Sequence, residues 1–271
     1  MTVASSAGTS LIHPTAIVDA SAKLHASVEV GPYSIVGAGV EIDEGTVIGP
    51  HVVLKGPMRM GKRNRVFQFA SLGEISQDKT AKVDDATSVS IGDDNTIREY
   101  VTIQRGTLKT LAINNGSTKV GDGNWIMANV HIAHDCTVGS QTILANGVTL
   151  AGHVTIEDYA GLGGFVLVHQ HCCIGAHSYV GGGAALRRDV LPFLMIEGEP
   201  AKPRGINSEG LKRRGFTPEE IETIKEAYKL IFMSGLLMAE VKENLAVMAE
   251  TSAASRQMLD FIGRSQRALL R

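Results

Sequence analysis

Residues 120–186 read VGDGNWIMANVHIAHDCTVGSQTILANGVTLAGHVTIEDYAGLGGFVLVHQHCCIGAHSYVGGGAAL, with an aliphatic residue at every sixth position. The beat falls on Val120, Ile126, Ile132, Val138, Leu144, Leu150, Ile156, Leu162, Val168, Ile174, Val180 and Leu186. The same beat starts at Ile12 and runs to Leu72, then returns at Ile91, Ile97 and Ile103. Two residues before each beat stands a small or β-branched residue, such as Val130, Cys136 or Thr142, and glycine often follows it. A fixed period of six predicts a parallel β-helix, with one short strand and one corner per repeat and three repeats per coil. Beat and pre-beat residues share a side of the strand and point inward. A helix would need apolar spacing near 3.6, which this stretch lacks. Glycine after the beat is expected to serve the corner through its freedom from a Cβ.

Two polar stretches break the rhythm, at 73–88 and 104–117, and are expected to leave the coil as loops on a binding face. The expected organisation is a disordered segment at 1–10, a β-helix over 11–192, then an extended passage and an α-helical subdomain over 193–271. The helical start is marked by Thr217-Pro218-Glu219-Glu220, an N-cap, a first-turn proline and a capping-box glutamate. Helical spacing follows at Ile221, Ile224, Ala227, Tyr228 and Ile231, and again at Leu237, Val241, Leu245 and Met248. Flat prism faces favour side-by-side packing, so a homo-oligomer is expected, with a cyclic trimer as the natural closed form.

The net charge of −2 gives no sign of a nucleic-acid partner, and no segment is long and apolar enough to span a membrane. Residues 1–10 lack the basic and apolar regions of a signal peptide, so a cytoplasmic protein is expected. Three cysteines form no even disulfide framework. Cys136 and Cys172 fall on inward positions and Cys173 beside them on the surface, all expected to be reduced.

Chemistry concentrates at 129–136, NVHIAHDC. With the eighteen-residue coil as a ruler, His134, Gly152 and Gln170 form one column, and Asp135, His153 and His171 the next. His131 and His169 flank them. Stacked imidazoles beside a carboxylate suit a neutral histidine acting as general base on a hydroxyl. They also suit three imidazoles on a metal that activates water, as in a zinc-dependent, carbonic-anhydrase-like β-helix.

The segments IHPTAIV, QFASLGEISQD, RGT, HIAHDCTVG, LAGHV, VHQ and NSEGLKRRGF resemble the bacterial UDP-N-acetylglucosamine O-acyltransferases of lipid A synthesis. The resemblance runs from Leu11 to Arg271. It implies a left-handed parallel β-helix, a homotrimer and no cofactor or metal. It also implies transfer of a 3-hydroxyacyl group from acyl carrier protein to the glucosamine 3-hydroxyl of UDP-N-acetylglucosamine. By position it makes His134 the general base, Asp135 its orienting carboxylate and the Gly152 N–H the oxyanion donor. It places His131, His153, His169 and Gln170 around sugar and acyl groups, and Asn207, Glu209, Arg213 and Arg214 around the nucleotide. Asp78 matches the residue that reads the acyl 3-hydroxyl, and Lys79 and Lys82 are the two candidates for a lysine that members of the family often carry two residues after it. Gly182 matches a position on the wall of the acyl groove. Gln104 stands where members of the family often carry histidine. The N-acyltransferase of the same pathway is the related alternative, and it usually carries an added N-terminal uridine-binding domain. The basic residues Arg187, Arg188, Lys202, Arg204, Lys212, Arg213 and Arg214 are expected to combine nucleotide binding with docking of an acidic carrier protein.

Overall fold

The six-residue beat folds into two-residue strands joined by four-residue corners, stacked in a computed structural model that describes residues 11–271. Three parallel sheets form the walls of a left-handed triangular prism. The first holds Ile17–Val18 through Ala185–Leu186, the second Lys23–Leu24 through Cys173–Ile174, and the third Glu29–Val30 through Tyr179–Val180. Registers advance by one coil of eighteen, as in His131↔Thr149 and Thr149↔Leu167. Beat residues fill the axis: Ile103, Ile126, Ile132, Leu144 and Leu150 have no exposed surface. Burying each such side chain contributes roughly 1.5–3 kcal/mol.

The glycines work differently from the expectation. In most coils the left-handed residue of a corner lies three positions after the beat and is often not glycine: Tyr33, His51, Gln141, Tyr159 and His177 have φ between 54° and 62°. Glycine directly after the beat is instead needed because the next coil passes too close. A Cβ on Gly31 would lie 2.8 Å from the Gly49 carbonyl carbon, and one on Gly139 would lie 2.8 Å from the Asp158 nitrogen.

One column of the interior is polar, a feature hidden in the pre-beat slot. Asn64, Asn95 and Asn124 stack on successive coils, and Asn64 Oδ1 accepts from Asn95 Nδ2 at 3.0 Å. Asn95 Oδ1 accepts from the Asn124 N–H at 2.9 Å, and Asn124 Oδ1 accepts from Thr142 Oγ1 at 2.7 Å. Hydrogen bonding along the column removes most of the cost of placing amides in an apolar prism.

Three edges join the walls: edge A runs from first to second sheet, edge B from second to third, and edge C from third to first. Both irregular segments leave from edge A, between Ser71–Glu74 and Ser88–Ile91, and between Thr102–Gln104 and Ser117–Val120. After the coils, Leu194–Glu197 and Lys202–Ile206 form an antiparallel pair on the third sheet, so the passage after the repeats is paired strand. The helices Pro218–Met233, Met238–Met248 and Ala253–Arg264 follow. Thr217 Oγ1 accepts from the Glu220 N–H at 3.2 Å and Glu220 Oε2 from the Thr217 N–H at 2.7 Å, the reciprocal cap its residues imply. The final segment returns to the prism, where the Leu270 N–H donates to the Asp189 carbonyl at 2.8 Å.

No disulfide forms among the described residues. Cys136 and Cys172 are buried, and Cys173 is half-buried rather than on the surface. Burial pushes their thiols up to about 12, 11 and 12 in turn, which keeps all three protonated at neutral pH. The expectation for residues 1–10 lies outside the described residues.

Candidate active site on edge A

Edge A carries the histidine columns. The His153 N–H donates to the His134 carbonyl at 3.0 Å and the His171 N–H to the Gly152 carbonyl at 3.1 Å, which places these residues on consecutive coils. Asp135 takes the left-handed corner conformation, φ 61°, which aspartate tolerates better than most residues. That corner turns its carboxylate inward until the side chain is fully buried.

A buried carboxylate needs donors, and the second irregular segment supplies them. Asp135 Oδ1 accepts from the Thr107 N–H at 2.9 Å and from Thr110 Oγ1. Its Oδ2 accepts from Thr107 Oγ1 at 2.7 Å and from His134 Nδ1 at 2.9 Å. Burial raises the acid's pKa, but the bonds from His134, Thr110 and Thr107 outweigh it and hold the pKa at about 2. The carboxylate therefore accepts from His134 Nδ1–H, leaving Nε2 with its lone pair free. Thr107 and Thr110 were missed by sequence reasoning; Thr107 stands in the quoted RGT, but a loop residue's partner cannot be read from spacing.

His134 Nε2 lies over Gly152. A Cβ there would sit 2.5 Å from His134 Cε1 and 2.6 Å from Nε2, so the imidazole occupies the space a side chain would need. The Gly152 N–H donates to no group among the described residues, although its carbonyl is engaged by His171. A free base nitrogen and a free backbone donor thus share one corner.

The neighbouring histidines surround this pair. His131 Nδ1 lies 2.7 Å from Thr102 Oγ1, and burial, with His134 nearby, lowers its pKa. The His153 ring meets His134 edge-on at 5.1 Å and stacks on His171 at 4.4 Å. Burial lowers the His153 pKa, and the nearby Asp135 offsets this only in part. His169 and Gln170 are exposed one coil further on.

The first irregular segment completes the edge. Asp78 Oδ2 accepts from Lys109 Nζ at 2.6 Å, and Oδ1 from the Thr80 N–H and hydroxyl at 2.9 and 2.7 Å. Lys109, ahead of Thr80, holds the Asp78 carboxyl well below the usual range. The cation paired with Asp78 is Lys109 of the second segment, and Lys79 and Lys82 form no ion pair with it among the described residues. Gln104 is buried and accepts from the Gln77 N–H at 3.2 Å, which ties the two segments together.

The remaining residues singled out from the sequence lie elsewhere on the protomer. Asn207, Glu209, Arg213 and Arg214 line a cavity of about 340 Å³ on edge B with Tyr159 and His177. Arg214 stacks over the Tyr159 ring at 4.5 Å and donates to the Gln141 carbonyl at 3.3 Å. Asn207 caps the following helix at Gly210 and donates to the His177 carbonyl at 2.9 Å. Glu209 pairs with Lys212. Gly182 stands on edge C, exposed, where an added Cβ would meet the Gly164 carbonyl oxygen at 3.1 Å.

His134, Asp135 and His153 bring ligand atoms within 4.8 Å of one another, the one such group among the described residues. The donor set fits a metal poorly. Four hydrogen bonds already fill the Asp135 carboxylate, and His134 Nδ1 is spent on one of them. A cation would have to break the network that orients the base. Prolonged dialysis against a chelator is therefore expected to leave activity unchanged; loss of activity that zinc restores would contradict this.

A prism of hexapeptide coils with a carboxylate-oriented histidine on its edge defines a hexapeptide-repeat transferase. The family described as bacterial transferase hexapeptide (six repeats) matches residues 21–56 and 117–152, and domain 2 of UDP-N-acetylglucosamine O-acyltransferase matches 189–270. The acyl-[acyl-carrier-protein]–UDP-N-acetylglucosamine O-acyltransferase of Herminiimonas arsenicoxydans is 52% identical, covering 97% of this chain and 100% of its own. That of Thiobacillus denitrificans is 48% identical, covering 96% and 99%. Among solved structures, the Francisella novicida UDP-N-acetylglucosamine acyltransferase superposes with a TM-score of 0.93 at 46% identity, covering 96% of this chain and 94% of its own. The Acinetobacter baumannii enzyme gives 0.92 at 41%, covering 96% and 100%. The chain belongs to the UDP-N-acetylglucosamine O-acyltransferase family, and it is an acyltransferase. Neither the zinc-dependent nor the N-acyltransferase alternative is favoured by these relatives.

Proposed function

We propose that the protein moves a 3-hydroxyacyl group from acyl carrier protein to the glucosamine 3-hydroxyl of UDP-N-acetylglucosamine, the opening step of lipid A synthesis. The observation that carries the chemistry is the His134 imidazole, tied by Nδ1 to Asp135 and lying over the Gly152 backbone. His134 Nε2 takes the proton of the sugar 3-hydroxyl as its oxygen attacks the thioester carbonyl. The Gly152 N–H stabilises the resulting oxyanion, and Asp135 the imidazolium. Collapse expels the carrier's thiolate, which takes the proton back from His134. His131, His153, His169 and Gln170 position the sugar and acyl groups, and Asp78, kept ionised by Lys109, accepts from the acyl 3-hydroxyl.

One protomer holds the base on edge A and the paired arginines on edge B, and a trimer brings them together. The second sheet's outer face carries charge (Lys23, Glu41, Arg59), and helix Ala253–Arg264 packs beside its C-terminal strands. Outer positions of the other two sheets expose Ile17, Leu167, Trp125, Ile143 and Tyr179. Packing the first sheet of one protomer on the third sheet of the next covers those residues. Edge A then meets the next protomer's edge B at the outer rim, with the arginines supplying two forked donors for a diphosphate. Edge C turns toward the axis, with the stacked rings of Tyr33, His51, Phe69 and Tyr100.

Mixed trimers test this assembly. A trimer of His134→Ala and Arg213→Ala/Arg214→Ala subunits should regain one working site, because one interface joins an intact edge A to an intact edge B. A site contained within one protomer would give no recovery.

On this reading the acyl tail runs in the groove between the packed sheets, along Leu167 of the first sheet toward Gly182. Glycine there leaves the groove open to a long chain, and each buried CH₂ contributes about 0.8 kcal/mol. Gly182→Met is expected to shift the preference to a shorter donor, since overpacking costs about 1–3 kcal/mol. Comparing donors of graded length on both proteins checks this, and an unchanged preference would remove Gly182 from the tail site.

A further inference from the structure

Both irregular segments leave edge A, and residues 104–110 of the second lie between the first segment and the Asp135 carboxylate. Three of them reach toward the first segment. Gln104 Oε1 accepts from the Gln77 N–H at 3.2 Å, and the buried Arg105 guanidinium donates to the Val83 carbonyl at 3.2 Å. Lys109 Nζ donates to Asp78 Oδ2 at 2.6 Å. Two residues reach the other way. Thr107 and Thr110 supply three of the four hydrogen bonds on the Asp135 carboxylate, and His134 supplies the fourth. No residue of 73–88 bonds to that carboxylate among the described residues.

The two directions meet within one tight turn. Leu108–Thr110 is a single turn of 3₁₀ helix, closed by the Thr110 N–H on the Thr107 carbonyl at 3.2 Å. Lys109 is adjacent in the chain to Thr110, so Asp78 and Asp135 pin the same turn at once. Thr80 fixes the other oxygen of Asp78. Moving Lys109 off Asp78 frees the side of the turn that carries Thr110. A buried carboxylate that loses a donor is costly, and it shifts to recover its bonds. The bond to His134 Nδ1 shifts with it, because both are made by one carboxylate.

We propose that the turn Thr107–Thr110 is a positioning element that joins donor recognition to the base, with Lys109 as the residue that locks it. This deepens the function proposed above and rests on it. Lys109 holds Asp78 in place for the acyl 3-hydroxyl, and the same turn holds Asp135 in line with His134. Lys109 and the two threonines act through the two carboxylates and are positioning residues. Lys109 is more than half exposed, and an ion pair of that exposure contributes little to stability. Its removal should therefore be read in the rate and not in the fold.

The test is Lys109→Met with Lys109→Arg as its conservative counterpart, and Thr110→Val with Thr110→Ser at the other end of the turn. Lys109→Met should lower kcat by about tenfold or more, because misplacing a reacting group by about 1 Å can cost about 10²-fold. KM for the nucleotide sugar should stay at the parent's value, since the paired arginines stand on edge B. Lys109→Arg and Thr110→Ser should retain most of the turnover that Lys109→Met and Thr110→Val lose. The double variant Lys109→Met/Thr110→Val should be no slower than the worse single one, because residues that act as a unit do not add. A readout without turnover is the downfield proton resonance of His134 Nδ1–H on Asp135, assigned by its absence from His134→Ala. It should weaken or vanish in Lys109→Met and persist in Lys109→Arg. An unchanged resonance or kcat in Lys109→Met, a change in donor KM alone, or multiplying losses in the double variant would overturn the proposal. If the parent fails to transfer, the function above falls, while the resonance still decides the role of the turn.

Discussion

His134→Ala is expected to lower kcat by about 10²–10⁴ while the protein stays folded, because that range is what a positioned general base typically contributes. The fold should survive for a local reason. His134 is not a core residue, and the buried Asp135 carboxylate keeps the Thr107 N–H, the Thr107 hydroxyl and the Thr110 hydroxyl as donors once the imidazole is gone. The loss should fall on kcat at saturating concentrations of both substrates, with the melting temperature close to the parent's. A folded variant that retains near-normal turnover would remove His134 from the base role.

Gly152→Ala is expected to be nearly as damaging, although it adds only one methyl group. Its φ is not in the left-handed range, so the backbone itself tolerates alanine. The added carbon, however, would lie 2.5 Å from His134 Cε1 and 2.6 Å from Nε2, closer than real side chains pack. The imidazole must swing away, breaking its bond to Asp135 or losing its line to the acceptor hydroxyl. Displacing the base accounts for about 10²–10⁴, and disturbing the oxyanion donor accounts for about 10²–10³ when measured alone. Groups that act in one step do not add, so the combined loss should stay near the larger figure. Nucleotide affinity should be preserved, because the arginines stand on another edge. Activity within a few-fold of the parent would mean that the productive imidazole does not lie over Gly152.

The prism was legible from residues because its period is short and each beat side chain is buried for the same reason. The edge columns were legible too, since His134, Gly152 and Gln170 are separated by whole coils and no loop intervenes. What spacing could not supply was the geometry of the two irregular segments. Thr107, Thr110 and Lys109 reach Asp135 and Asp78 only because both segments leave from edge A and fold against each other. The pairing of Asp78 with Lys109, 31 residues along the chain, is likewise invisible to spacing. The corner glycines show a similar limit. Their recurrence was visible, but their cause, a close pass of the next coil, depends on contacts between residues eighteen apart. Nor did the basic stretch reveal its division between edges, because Arg188 closes the coils on edge A, whereas Arg213 and Arg214 stand at the end of the short helix that follows an antiparallel strand pair and carries them to edge B.

The most direct measurement of the central claim is product analysis. Purified protein is incubated with UDP-N-acetylglucosamine and a 3-hydroxyacyl carrier protein, in parallel with His134→Ala, and the products are identified by mass and by the site of acylation. The expected result is a nucleotide sugar carrying one 3-hydroxyacyl group on the glucosamine 3-oxygen, with free carrier thiol released in equal amount and little of either from the variant. No acylated nucleotide sugar from the parent, or equal product from both proteins, would contradict the account.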